Sequence, residues 1–249
     1  MTEGSATWEH LHHQGHDVWW FHPRRPHPRG HALIYLHDQD SGDLRDRSAF
    51  VEMFEAHGLN VAVPITGPTW WLANLAPCFD PRISPLEFVA DWVFPLVEAR
   101  CGARPAVGLL GIGMGGQGAL QLAYRKPRRF PVVAAISPAI DFHQLVPEYD
   151  VTLTEIFGDR EWARQHTATL HIHPLAWPPH QYFCCDPTNY EWFDSSDRLR
   201  MKLSSLGVPF ECDLETSMDG PATTYENAQA RRAVDFIVRG LEREILAVR

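Results

Sequence analysis

Residues Gly111 to Gly116 of this 249-residue sequence read Gly-Ile-Gly-Met-Gly-Gly and have the glycine spacing of a nucleophile elbow. In a Gly-x-Ser-x-Gly elbow, a sharp turn between a strand and a helix raises the central serine for attack on an acyl carbonyl. The central position here is Gly113, which has no side chain to raise. The motif therefore predicts the turn but not the nucleophile.

Two adjacent cysteines are the first alternative source of a nucleophile. Cys184 and Cys185 lie at a predicted strand end, and a thiol activated by a neighbouring histidine can attack an acyl carbon. We consider Cys185 with His143 or His180 as its base. Because successive strand residues point to opposite faces, one cysteine must enter the core, and burial as a small apolar side chain is the favoured interpretation.

Histidine is abundant, with 14 copies in the chain. The spacing His171-x-His173 places two imidazoles on one face of an extended segment, and His180 follows, so zinc ligation is one hypothesis. A second cluster near the amino terminus comprises His10, His12, His13 and His16. A structural role is favoured for both groups, and we predict neither a metal nor a cofactor.

The overall charge disfavours two classes of partner. Lys and Arg total 22 against 31 for Asp and Glu, and the resulting net charge of -9 would repel nucleic acid and anionic membranes. Residues 1–20 contain no apolar run of signal-peptide length, no later stretch approaches eighteen uninterrupted apolar residues, and the five cysteines lack C-x-x-C spacing. We expect a cytoplasmic protein that binds a small molecule and can form a homo-oligomer.

Apolar runs alternate with amphipathic stretches, which is typical of a mostly parallel sheet with helices on both faces. The predicted strands are 18–21, 32–36, 60–64, 106–110, 132–136, 181–185 and 209–214. The predicted helices are 48–57, 84–100 with a kink at Pro95, 116–125, 194–206 and 224–248. The length fits a single α/β domain over residues 1–249.

Residues 141–179 interrupt this alternation with short helical pieces and a stretch rich in His, Pro and Trp. Open α/β sheets bind ligands at the carboxyl ends of their strands. We therefore predict that this insertion lies over that edge and covers a pocket.

Five stretches resemble the esterase D-like branch of the α/β-hydrolases, which includes S-formylglutathione hydrolases and bacterial mycolyl transferases. They are Leu33–His37, Leu109–Leu120, Ala135–Ala139, Asp197–Leu199 and Leu206–Phe210. The most specific is the Gly-x-x-Met-Gly-Gly-x-Gly-Ala run between a predicted strand and helix. The resemblance implies the α/β-hydrolase fold and a site built for serine-esterase chemistry.

The catalytic positions implied by this resemblance are altered. The serine position is Gly113, and the histidine position, in the turn after the last strand, is Pro221. No histidine follows His180, so a shifted alignment does not restore the base. Asn189 best matches the acid position, and Asp186 is the alternative.

The resemblance also implies an oxyanion hole, formed by the amide of Met114 and by amides of the loop after His37. That loop reads His-Asp-Gln-Asp, with Asp38 where relatives have a small glycine. The carboxylates of Asp38 and Asp40 are expected to repel the negative charge that develops during acyl transfer.

Large side chains are expected around the pocket. The resemblance places Trp70 and Trp71 in a loop at its rim, Trp177 on the insertion, and His37 and His143 nearby. The tryptophans suit two interpretations, stacking on a ligand or filling an emptied cavity.

The preferred hypothesis is a catalytically impaired or inactive esterase, a pseudo-esterase that binds a small ligand or a partner in the former cleft. The alternative is an active carboxylic-ester hydrolase with relocated residues, for which Asp186, Cys185 and His180 are the candidates. Glycine relieves the backbone strain of an elbow, so the substitution Gly113→Ser is expected to lower stability.

Overall fold

The computed structural model describes residues 7–39, 44–102 and 107–247. Within them, one sheet contains β1 (Thr7–His13), β2 (His16–His22), β3 (Ala32–Leu36), β4 (Asn60–Pro64), β5 (Val107–Ile112), β6 (Val132–Ile136), β7 (His180–Cys184) and β8 (Glu211–Asp213). The order across the sheet is β1-β2-β4-β3-β5-β6-β7-β8. Strand β2 is antiparallel to both its neighbours, and the other pairs are parallel. The predicted mostly parallel sheet is confirmed.

Helices cover both faces of this sheet, as predicted. They are α1 (Ser48–His57), α2 (Pro85–Glu87), α3 (Phe94–Cys101), α4 (Met114–Arg125), α5 (Val151–Phe157), α6 (Arg160–Arg164), α7 (Phe193–Leu206) and α8 (Ala222–Ala247). On one face, α1 and α8 bury Phe54 and Ile237 in a shared apolar cluster. On the other, α3, α4 and α7 bury Val97, Leu120 and Leu203. No helix within the described ranges is long and apolar enough to cross a membrane.

Strands β3, β4 and β6 have the predicted bounds, whereas Ala106 and Val248, the ends of two other predicted elements, lie outside the described residues. Strand β1 was not predicted. It pairs with β2 through a tight turn at Gln14 and Gly15, whose positive φ angles of 56° and 90° are typical of hairpin turns that match the twist of the paired strands. Its sequence is rich in histidine and has no fully buried residue, so it lacks the apolar run by which the other strands were recognised.

The predicted kink at Pro95 takes the form of a change in helix type. A π-helical stretch, Phe88–Val93, joins α2 to α3 directly before this proline. Proline has no N–H to donate to the preceding turn, and a widened turn is one way for a helix to accommodate that loss. The amide of Phe94 accordingly donates to the carbonyl of Val89, five residues earlier.

The spacing of glycines in the elbow reflects close contact between backbones. An ideal Cβ on Gly115 would overlap the carbonyl oxygen of Leu36 and lie 2.7 Å from that of His37. A Cβ on Gly111 would lie 2.6 Å from the amide nitrogen of Gly116. These positions therefore require glycine because β3, β5 and the start of α4 leave no room for a side chain.

The prediction for residues 141–179 is wrong for their second half. The first half does lie over the carboxyl edge, where Asp150 accepts hydrogen bonds from Trp70 and Gln39. The second half descends to the opposite edge, because His180 begins β7 and is paired with Val132 at the start of β6. A parallel strand must begin at the amino edge, so its connection has to run the length of the sheet.

Candidate active site

The elbow turn forms at Gly113 between β5 and α4. Its φ of 54° and ψ of -118° are backbone angles that a residue with a side chain adopts at a cost of about 1–3 kcal/mol. The Gly113 amide donates to the carbonyl of Ile136 at 3.0 Å, and its carbonyl accepts from the amides of Ala139 and Gln117. The turn is thus held on both sides by backbone hydrogen bonds.

The carboxylate of Asp38 occupies the space above this turn. Its Oδ1 accepts a hydrogen bond of 2.8 Å from the amide of Met114 and another of 2.8 Å from the amide of Gln39. An ideal Cβ on Gly113 would lie only 2.5 Å from the Asp38 Cγ and Oδ2. These are the amides from which the resemblance builds an oxyanion hole, so in this structure a carboxylate of the chain itself accepts both of them. Asp40 lies outside the described residues.

His37 holds the loop that carries this carboxylate. Its side chain is fully buried, with Nδ1 2.7 Å from the carbonyl oxygen of Asp38 and Nε2 3.2 Å from the amide of Thr66. Nδ1 must therefore donate and Nε2 must accept, which defines a neutral tautomer. Burial lowers the pKa of His37 and favours that form. Its predicted place on the wall of an open pocket is wrong, because both nitrogens serve the loop.

Trp70 and Trp71 are also buried, with φ angles of 57° and 49°. The Trp70 indole donates to Asp150 at 2.9 Å, and the Trp71 indole donates to the carbonyl of His37 at 2.9 Å. Neither ring has a free face for a ligand. Of the two interpretations offered by the sequence, filling of the interior agrees with this geometry and stacking on a ligand does not.

Asp186 follows β7 at the carboxyl edge and is buried. Its Oδ1 accepts from the amide and the hydroxyl of Thr188, and its Oδ2 accepts from the amide of Met218 at 2.9 Å. Burial alone would raise the pKa of this carboxyl, but the hydrogen bonds from Met218 and Thr188 outweigh it, and the pKa lies below its usual value. The ionised carboxylate joins the loop after β7 to the loop after β8.

The Asn189 side chain stabilises the loop in which it lies. Its Oδ1 accepts from the amides of Glu191 and Trp192 at 3.2 and 3.1 Å, which organises the chain entering α7. Both Asn189 and Asp186 line a cavity of about 280 Å³, and Pro221 lies on the same wall. The acid and histidine positions implied by the resemblance therefore meet at one cavity, together with Ser137 at the end of β6.

The residues considered as a relocated catalytic group do not lie at one site. Cys185 is buried, and burial raises the pKa of its thiol to about 11. His180 lies at the amino edge of the sheet, with Nε2 3.2 Å from a carboxylate oxygen of Glu244. His143 lines a different cavity from Asp186. Cys185, Asp186 and His180 thus share no site, because β7 separates the histidine at its start from the other two at its end.

The other histidines considered as metal ligands have structural partners. His171 lies 2.9 Å from the guanidinium of Arg125, and His173 accepts from the amide of Leu175. In the amino-terminal cluster, His10 and His12 both contact Asp17, His13 contacts the carbonyl of Trp92, and His16 contacts Asp80. Trp177 lines a cavity at the amino edge with Pro131 and Glu244, so its predicted place at the pocket is wrong. In the described ranges, no three His, Cys, Asp or Glu side chains are grouped to hold a metal ion.

Sheet order, elbow and crossover helices together define an α/β-hydrolase fold. The family described as "Putative esterase" matches residues 76–204, and the chain belongs to this family. The comparison with curated protein sequences gave no match.

Solved structures of similar fold include several esterases. S-formylglutathione hydrolase from Agrobacterium tumefaciens has a TM-score of 0.70 at 15% identity, over 96% of this chain and 94% of its own. MPT51 (FbpC1) from Mycobacterium tuberculosis has a TM-score of 0.72 at 18% identity, over 94% of this chain and 100% of its own. The fluorophosphonate-binding serine hydrolase FphF from Staphylococcus aureus has a TM-score of 0.70 at 15% identity, over 95% of this chain and 99% of its own. At these identities the likeness shows the α/β-hydrolase fold alone.

Proposed function

We propose that this chain is a catalytically impaired esterase-fold protein that binds a small ligand in the former active-site cleft. The observation that carries the proposal is the Asp38 carboxylate, which accepts the amides of Met114 and Gln39 beside Gly113. The absence of a side chain at position 113 and the proline at position 221 support it further.

A carboxylate in this position opposes acyl transfer in two ways. A substrate carbonyl would have to displace Asp38, breaking two hydrogen bonds to a charged group of roughly 1.5–3 kcal/mol each. The developing oxyanion would then face a displaced negative charge at short range. Loss of a single oxyanion-hole donor lowers kcat by about 10²–10³-fold in a working serine hydrolase. Here both donors are engaged, and no nucleophile stands beside them.

The cavity beside this site indicates the kind of ligand. Its volume of about 280 Å³ suits a small molecule, and Asp186 and Glu191 are acidic groups on its wall. Loss of solvent and the negative charge of Asp38 raise the pKa of Glu191. We therefore propose a polar ligand that is neutral or cationic, since an anion would meet the carboxyl groups of Asp186 and Glu191.

The setting we propose is a reducing cytoplasm, with a small molecule rather than nucleic acid as partner. The five cysteines are free thiols, which supports the compartment. The net charge of -9 supports the choice of partner.

The test measures hydrolysis of p-nitrophenyl esters and labelling by a fluorophosphonate probe. We expect neither to exceed the buffer control in the wild-type protein. Turnover that disappears in Cys185→Ala would overturn the proposal in favour of a relocated nucleophile. Fluorophosphonate labelling of any serine, located by peptide mass spectrometry, would overturn it equally.

A reconstruction tests the assignment of positions. The triple variant Asp38→Gly, Gly113→Ser, Pro221→His should gain esterase activity, because it opens the oxyanion hole and restores nucleophile and base. Gly113→Ser alone is the matched control and should remain inactive. Adding Asn189→Asp to the triple variant shows which residue serves as the acid. A further gain assigns position 189, and no change assigns Asp186.

A further inference from the structure

A second cavity lies between residues 141–170 and helix α7. Its volume is about 540 Å³, and none of its lining residues is shared with the cavity at Asp186. Helix α7 contributes Arg198, Met201 and Lys202, and the facing wall includes His143 and Arg164. It is thus a separate compartment within the described residues.

The charge of this cavity is opposite to that of the protein. Three cationic side chains line it, Arg164, Arg198 and Lys202, against one carboxylate, Asp141. The carboxylate is already paired with Arg198, and Arg164 is paired with Glu161, which does not line the cavity. In a chain with a net charge of -9, such a local excess of cations requires an explanation.

Lys202 is the cation without a counter-ion. Across the described ranges its ammonium group has no hydrogen bond or ion pair, although the side chain is partly buried. Loss of solvent lowers the pKa of Lys202. Among the residues that the structure describes, no negative charge nearby offsets the cost of removing its ammonium group from water. The chain has only one other lysine, Lys126, and that side chain lies 3.5 Å from Asp91.

A second polar group in the cavity also lacks a partner. The Nδ1 atom of His143 is buried and has no hydrogen bond. A buried polar atom without a partner costs about 1–3 kcal/mol, so native sites usually satisfy it with protein, water or ligand. The His143 and Lys202 side chains lie on different elements that line the same cavity.

The remaining lining adds an apolar component. Leu170 and Met201 are 43% and 57% exposed, and both border the cavity. Large apolar side chains exposed beside unpaired polar groups are typical of ligand sites, where they contact the carbon body of the ligand. The volume likewise exceeds what a bare inorganic anion would fill.

We propose that this cavity binds an organic anion, a carboxylate or phosphate monoester joined to an apolar group, with Lys202 as its counter-ion and His143 as a hydrogen-bond partner. Leu170 and Met201 contact the apolar group. The site shares no lining residue with the former active-site cleft, so its test is independent of the function proposed above.

The presence of only two lysines allows a direct test by NMR. Reductive methylation with ¹³C-formaldehyde retains the positive charge and labels Lys126, Lys202 and the amino terminus. Titration with octanoate or octyl phosphate should shift the Lys202 resonance saturably in the millimolar range and leave the Lys126 resonance unchanged. The Lys202→Gln variant assigns its resonance by the loss of that signal.

Calorimetry on unlabelled protein measures the contribution of the charge. Lys202→Gln should weaken binding of octanoate or octyl phosphate by roughly tenfold or more, whereas the matched Lys126→Gln should not change it. Lys202→Arg retains the charge and should bind within a few-fold of wild type, which separates loss of charge from loss of fold. The stronger of the two ligands identifies carboxylate or phosphate as the preferred group.

Several outcomes would overturn the inference. Octanol binding as tightly as octanoate would show that charge is not recognised, and inorganic phosphate binding as tightly as octyl phosphate would remove the apolar contact. The absence of a saturable shift at Lys202, or equal affinity in Lys202→Gln, would show that the cavity is not a site for organic anions.

Discussion

The carboxylate of Asp38 lies where a side chain on residue 113 would begin. An ideal Cβ on Gly113 falls 2.5 Å from the Asp38 Cγ, well inside van der Waals contact. The same carboxylate accepts the Met114 amide, which follows the nucleophile position in the elbow. A serine at position 113 and an aspartate at position 38 in this rotamer are therefore mutually exclusive. The two residues act as a coupled pair rather than as two separate changes.

This exclusion predicts non-additive stability. Gly113→Ser should lower the free energy of unfolding by about 2–4 kcal/mol, because it combines backbone strain with displacement of the Asp38 carboxylate. In an Asp38→Gly background the same serine should cost about 1–2 kcal/mol less, since only the strain remains. Urea denaturation of the four proteins measures this cycle.

A matched control separates strain from overlap. Gly67 also has a positive φ, 68°, but an ideal Cβ there meets no atom within 4 Å. Gly67→Ser should therefore cost less than Gly113→Ser and show no coupling to Asp38. Additive effects of Gly113→Ser and Asp38→Gly would contradict the coupling.

The two adjacent cysteines should be inert in the folded protein. Burial raises the pKa of Cys184 to about 12 and that of Cys185 to about 11, so almost no thiolate forms near neutral pH. Cys78 is exposed and should react with iodoacetamide first, as located by peptide mass spectrometry. Alkylation of Cys185 at a rate similar to that of Cys78 would revive it as a candidate nucleophile.

Acid sensitivity should come partly from His31. This side chain is buried and stacked on His27 with ring centroids 3.7 Å apart, and neither of its nitrogens has a hydrogen-bond partner. Burial lowers the pKa of His31 from 6.5 to about 4. The unfolded state therefore takes up the proton more readily, and the stability that neutral His31 provides above pH 6.5 is lost as the pH falls toward 4.

The His31→Phe variant retains a stacked ring and removes the titration. Its free energy of unfolding should fall less than that of wild type between these pH values, by on the order of 2 kcal/mol. Chemical denaturation at a series of pH values checks this difference. Parallel curves for the two proteins would assign the acid sensitivity to other groups, such as His171, whose pKa burial also lowers to about 4.

Asp150 should be important for stability although it lies in the insertion of residues 141–179. Its Oδ1 caps α5 at the amide of Leu153, and its Oδ2 accepts from Trp70 and Gln39. Asp150→Ala should lower the free energy of unfolding by about 2–4 kcal/mol, because it removes a cap and leaves a buried indole N–H unpaired.

Asp159 provides the matched control for this prediction. It caps α6 at the amide of Trp162 but makes no contact to a buried indole. Asp159→Ala should therefore cost only about 1 kcal/mol in urea denaturation. Equal effects of the two substitutions would show that the contact to Trp70 adds nothing to the cap.

The sequence by itself determined the fold and the location of the elbow turn. Short apolar runs bounded by turn residues are typical of central strands buried on both faces, so β3, β4 and β6 were found at their observed bounds. The elbow was recognisable at Gly113 because close backbone contacts admit only glycine at neighbouring positions, and those glycines can be read directly from the sequence. The edge strand β1 was missed because none of its residues is fully buried and it has no apolar run.

Only the tertiary structure decided where the remaining side chains act. His180 and Cys185 are close in sequence but lie at opposite ends of β7, whereas Asp38 and Met114 are 76 residues apart and share a hydrogen bond. From the sequence, Asp38 was expected only to repel charge. Its role as acceptor of the Met114 and Gln39 amides depends on the close approach of the loops after β3 and β5, which the packing of the whole sheet determines.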